Sequence, residues 1–113
     1  MNFKKFEIIL VNLNPTKWSE QSWIRPCIIM QNNYANKVAR TFVVAIISSV
    51  IKDFPHTLII EKTKTNWLEN KSRIDLLQVR TIDKTRIIKS FWILDEKYRE
   101  IFDEKIKISF WIN

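Results

Sequence analysis

Apolar residues recur along this chain with two different periods, and the change of period divides it. Residues 6 to 13 are apolar and β-branched up to the break at Asn14-Pro15, the pattern of a buried strand. A second strand is expected over residues 27 to 31, a third over 41 to 47 and a fourth over 57 to 61, after the Phe54-Pro55 break. Residues 74 to 79 and 87 to 93 read as two more, with a short polar segment from Thr81 to Arg86 between them. Beyond them Leu94, Tyr98, Ile101, Phe102 and Ile106 recur at three- and four-residue steps, and charges fill the other faces. That is the period of an amphipathic helix, with Asp95 placed as its N-cap and Glu96 where the helix dipole favours an anion. Short strands closed by one helix predict a mostly β protein, a small and partly open barrel with a C-terminal helix packed on the sheet.

Composition narrows the setting. The chain has 113 residues, enough for one domain with one modest core, and we read residues 1–113 as that domain. Its longest apolar run, residues 42 to 47, falls far short of the ~20 residues of a membrane span. Lys4 and Lys5 precede an apolar segment that breaks at Asn12 and Asn14, with no small-residue cleavage site after it. The expected location is the cytoplasm, with no membrane partner. Cys27 is the sole cysteine and His56 the sole histidine, which leaves no disulfide framework and no Cys- or His-rich metal site. His56 reads as a loop or strand-edge residue. Glycine is absent, so turns needing positive φ are expected to use asparagine, as at Asn32-Asn33, Asn36, Asn66 and Asn70.

Charge points to a partner. Nineteen Lys and Arg against twelve Asp and Glu give a net charge of +7, an excess that suits nucleic acid or an acidic protein. The basic residues are scattered rather than gathered in a disordered arm. Two stretches bear candidate chemistry. The segment WSEQSWIRP, residues 18 to 26, sets Ser19, Glu20 and Gln21 between Trp18 and Trp23 in a connection longer than a hairpin turn needs. Aromatic faces can stack on the bases of a single strand while polar groups read their edges, and Trp23 is the expected base contact. Arg25 stands before Pro26, which biases it to extended backbone at the mouth of a strand. Its planar fork matches a phosphate. Ser48 and Ser49 place hydroxyls at the end of the third strand, and QVRTIDKTR, residues 78 to 86, is the second informative stretch.

In this order, Ser-Glu-Gln-x-x-x-Arg-Pro, an apolar strand with Gln31-Asn32, VVAIISS and QVRTIDKTR resemble the MazF/PemK family of toxin–antitoxin ribonucleases. The resemblance implies an SH3-like β-barrel with a C-terminal helix, a homodimer, and metal-free cutting of single-stranded RNA at short motifs. It also implies a cognate antitoxin of the MazE kind, whose acidic, disordered segment blocks the groove. Arg25 matches the arginine of the family's Arg-Pro step, and Ser48 matches its strand-end hydroxyl. Ser19, Glu20 and Gln21 match its loop, and Gln78, Arg80 and Thr81 belong to its later segment as RNA-binding residues. No cofactor is implied, because RNA supplies its own nucleophile in the 2′-hydroxyl. Glu20 is the candidate base, since a histidine and a carboxylate used by some members correspond here to Ser19 and Leu77. Two alternatives share the fold or the partner: a CcdB-like gyrase poison, faintly echoed in Trp111-Ile112, and a module that binds RNA without cutting it.

Overall fold

The structure, a computed structural model, describes residues 2–14 and 23–110. Strands β1 (Glu7–Asn12), β2 (Ile24–Ile29), β3 (Thr41–Ser48), β4 (Thr57–Ile60), β5 (Ser72–Asp83) and β6 (Ile87–Ile93) form one antiparallel sheet ordered β4-β5-β3-β2-β1-β6. A short helix α1 (Asn33–Val38) joins β2 to β3, and α2 (Glu96–Ser109) ends the described chain.

Both faces of the sheet are covered, which explains why its central strands are apolar without a break. Side chains alternate across a strand. Ile8, Ile28, Ala45 and Ile47 therefore enter one cluster with Ile74 and Leu76, while Ile9, Val11, Cys27, Ile29 and Val44 enter another with Phe42 and Ile82. The first cluster is sealed by Leu94 and Phe102, neither of which is exposed. Around it the sheet curls into a half-barrel. The backbone N–H of Ile93 donates to the Thr65 carbonyl at 3.2 Å, and that of Glu61 to the Tyr98 hydroxyl at 3.1 Å, so the segment after β4 reaches the far end of β6 and α2. Phe3 covers the second cluster, set edge-on to Phe42 at 5.4 Å.

The strands fall near where the apolar pattern places them, with two corrections. β2 runs from Ile24 to Ile29 rather than over residues 27 to 31, so Arg25 and Pro26 lie in the strand and not before it. β5 continues through Asp83, so Thr81 to Asp83 belong to the strand and only Lys84–Arg86 form a turn, of 3-10 helix. The pattern concealed this because Leu77 and Gln78 are both exposed, which breaks the alternation midway.

The asparagines are used differently from the expectation. Among the described residues the positive φ angles belong to Phe6 (75°) and Trp67 (52°). Asn32 instead caps α1, an element the periodicity did not mark, by accepting from Ala35 N at 2.9 Å. Asn66 is fully buried, donates to the Glu61 carbonyl and the Asp95 carboxylate, and accepts from Thr63 N and Leu68 N. Asp95 does occupy the N-cap position of α2, but its carboxylate serves Thr63 and Asn66 and makes no cap bond. On α2, Phe102 is buried, Tyr98 and Ile106 pack beside it, and Ile101 is turned outward, 41% exposed.

Candidate functional site

The site begins with a proline inside a central strand. β2 pairs with β3 from Ile29↔Val44 to Cys27↔Ile46, and there the ladder stops. The next residue is Pro26, which has no N–H to give a ladder. Continuing the register by two residues would set Arg25 opposite Ser48, yet no pair forms there. The β2–β3 ladder is thus unpaired between the candidate arginine and the candidate hydroxyl.

Register places further groups on the same face. Cross-strand partners project to one side, so Arg25 shares the face of its partner Val11 and of Cys27. Ser48 is paired with Arg73 and Ile46 with Asp75, on the other side of β3. Two rows result. One holds Arg25, Ser48 and Arg73, and the adjacent one Cys27, Ile46 and Asp75. Arg80, opposite Val44, lies on this face as well.

Local bonds set these groups. Ser48 Oγ accepts from Val50 N at 3.1 Å, which occupies a lone pair and leaves the O–H free to donate. The Val50 carbonyl accepts from Arg73 Nη1 at 2.7 Å, and Arg73 Nε stands 3.5 Å from Asp75 Oδ2. Arg25 is exposed, its Nη1 donating to the Ile24 carbonyl at 3.2 Å.

A bulge in β5 shapes the neighbouring edge. Ala45 faces Val79 but Ile46 faces Asp75, so residues 76 to 78 are extra. Their N–H groups need other acceptors. Leu76 N donates to the His56 carbonyl at 2.9 Å, and Leu77 N to Asp75 Oδ1 at 3.1 Å. Gln78 is exposed at this bulge. Thr81 is also exposed, but it pairs with Val43 and lies on the opposite face from Arg80 and Ile82.

The loop between β1 and β2 is closed at its neck by Leu13 N donating to the Trp23 carbonyl at 2.9 Å. Trp23 is 41% exposed. Ser19, Glu20 and Gln21 lie outside the described residues. Arg86 braces the end of β1, donating to the carbonyls of Asn12 and Asn14.

Cys27 reports on the charge of this face. Burial pushes its thiol up from 9.0 to about 12, against the pull of the Arg80 and Arg25 guanidinium charges, so both arginines lie close enough to act on it. The thiol is therefore inert near neutral pH. The folded state holds this proton after the unfolded chain has lost it, so the stability it lends is complete below pH 9.0 and falls between about 9 and 12. Cys27→Ala should flatten that alkaline fall in urea-denaturation midpoints. An unchanged slope would assign the fall to other groups.

Sequence reasoning missed Arg73 and Asp75. The signal was present, since two charges two positions apart in an apolar strand share one face. Among the described residues no three His, Cys, Asp or Glu side chains are grouped to hold a metal ion.

Comparison with known proteins identifies the family and the fold. The MazF endoribonuclease of Staphylococcus saprophyticus is 36% identical over 108 residues, 94% of this chain and 89% of that protein. The fold is similar to that of the Mycobacterium tuberculosis toxin MazF-mt6, with a TM-score of 0.79 at 16% identity over 95% of this chain and 98% of that one. It is also similar to a chain of the MazE-MazF crystal structure (Form-II) from Deinococcus radiodurans, with a TM-score of 0.75 at 10% identity over 100% and 99%. A family model for the PemK-like, MazF-like toxins of type II toxin–antitoxin systems matches residues 4–110, and this chain belongs to that family.

Proposed function

We propose that this protein is the toxin of a type II toxin–antitoxin pair and acts as a metal-independent endoribonuclease on single-stranded RNA. The observation that carries the reading is the unpaired edge between Arg25 and Ser48, with Arg73 and Arg80 on the same face. A phosphodiester entering there meets a planar cation, a hydroxyl donor and further positive charge. The 2′-hydroxyl of the RNA attacks the adjacent phosphorus and the 5′-oxygen leaves, giving a 2′,3′-cyclic phosphate and a 5′-hydroxyl. Arg25 and the Ser48 O–H stabilise the charge that gathers on the non-bridging oxygens. Glu20 takes the 2′ proton. Ser19, Gln21, Trp23 and Gln78 contact the bases around the cut, and Arg80 a flanking phosphate. Thr81, on the opposite face, can serve RNA only where the strand wraps around β5.

The basic face also fits an acidic, disordered antitoxin segment, which would compete with RNA for it. A homodimer and a cytoplasmic location complete the reading. No helix among the described residues is long and apolar enough to cross a membrane.

The test is a long mixed-sequence RNA incubated with the purified protein in EDTA, with every cut end mapped. Cuts at one recurring short motif with 5′-hydroxyl ends are expected. Intact RNA, or cutting that needs an added divalent ion, would overturn the proposal.

A further inference from the structure

A hydroxyl that is to meet a developing charge has to be aimed before the charge appears. Serine lacks the branch that confines χ1 in threonine or valine, so its hydroxyl has three staggered positions to choose from. At Ser48 the choice is made by the 3.1 Å bond that Oγ accepts from Val50 N. The direction of the O–H therefore depends on what holds Val50.

Burial does not hold it. Residues 49 to 55 are all exposed, and Val50 itself is 59% exposed. Among the described residues, the hydrogen bonds that tie residues 49 to 53 both fall on Val50. One is the bond to Ser48 Oγ, and the other is the 2.7 Å bond that the Val50 carbonyl accepts from Arg73 Nη1. Arg73 is a firm support. Its side chain is only 14% exposed, and its Nε lies 3.5 Å from Oδ2 of the buried Asp75, whose Oδ1 accepts from Leu77 N. Arg73 is also the cross-strand partner of Ser48, so its side chain starts beside the hydroxyl. A planar fork can serve the Val50 carbonyl and the Asp75 carboxylate together, which a point charge does less well.

We infer that Arg73 is a positioning residue for the Ser48 hydroxyl, acting through the Val50 main chain, with Asp75 holding the guanidinium. The inference rests on the proposed function, in which Ser48 donates to the phosphate. Arg73 Nη1 fixes the Val50 carbonyl, and Val50 N fixes one lone pair of Ser48 Oγ. The O–H is left to donate at the unpaired edge between β2 and β3. No proton passes along these bonds. Arg73 sets a direction only.

Arg73→Lys tests this, because it keeps the charge and loses the fork. On an RNA carrying the mapped motif, under single turnover, it should slow the chemical step about 10-fold and leave RNA affinity within about 2-fold. In a Ser48→Ala background the same change should alter the rate by less than about 2-fold, because the group it aims is gone. Amide hydrogen exchange of the RNA-free protein should quicken about 10-fold at Val50 in Arg73→Lys. Exchange at the core residue Ile28 should stay as in the wild type, which shows that the variant is folded. An unchanged rate, equal losses with and without the Ser48 hydroxyl, a loss carried wholly by affinity, or unchanged exchange at Val50 would each overturn the role of Arg73 while the ribonuclease stands. Wild-type protein that leaves the RNA intact would overturn both.

Discussion

Arg25→Ala should lower the rate of RNA cleavage about 10³-fold at saturating RNA, the scale expected when a fixed cation is withdrawn from a transition-state charge. The loss should appear in the rate of the chemical step more than in RNA affinity. Arg73 and Arg80 remain on the face to hold the backbone, and binding draws on every positive charge near the strand. Stability should hardly change, because Arg25 is exposed and its side chain makes a hydrogen bond only to the neighbouring Ile24 carbonyl among the described residues. Arg25→Lys makes the argument sharper. It keeps the charge but loses the planar fork, so it should restore affinity and only a small part of the rate. Single-turnover kinetics on an RNA carrying the mapped motif separates the two quantities. If Arg25→Ala weakened binding by the whole measured factor and left the chemical step intact, Arg25 would be a docking residue only. The charge would then have to be met elsewhere on the face.

Why Arg25 can occupy that place was only partly legible in the sequence. The Arg-Pro step marked a strand mouth, and the SEQ and QVRTID stretches marked a family. What no linear pattern conveyed is that Pro26 lies within a central strand and that the ladder to β3 ends at its neighbour. That outcome depends on which strand lands beside β2, a long-range matter. Arg73 and Asp75 sit in the same blind spot. Their spacing showed a shared face, but only the pairing Ser48↔Arg73 shows that this face carries the candidate site.

The element pattern was more readable than the turns. Apolar runs located all six strands, because a sheet covered on both sides demands continuous burial. The bulge at residues 76 to 78 hid the end of β5, since an odd number of inserted residues reverses the alternation. The asparagine expectation failed for a different reason. In a chain without glycine, positive φ falls wherever surrounding packing can hold it, and here that is at Phe6 and Trp67. The asparagines are spent on hydrogen bonds that other side chains could not make, as Asn66 shows with its two donors and its acceptor all engaged.

Phe6 leads to the second large effect. Phe102→Ala should destabilise the protein by about 3–5 kcal/mol, the range for a fully buried phenylalanine. Its ring is the part of α2 that enters the first core cluster, and it meets the Phe6 ring edge-on at 5.6 Å. Phe6 is held at φ 75°, a conformation that costs a residue with a Cβ about 1–2 kcal/mol. The position persists because Phe6 N donates to the Ile29 carbonyl, the Phe6 carbonyl accepts from Leu94 N, and Arg99 covers the ring at 5.3 Å. Removing Phe102 takes away the packing on one side of that ring while the backbone strain stays. Urea midpoints should therefore fall steeply, whereas Ile101→Ala, on the outward side of the same helix, should move them little. A reversal at Phe6 would confirm the source of the strain. There glycine should be less damaging than alanine, because both lose the ring and only glycine relieves the positive φ. If alanine proved the milder change at Phe6, the backbone there would not be strained, and the loss at Phe102 would be a matter of cavity volume alone.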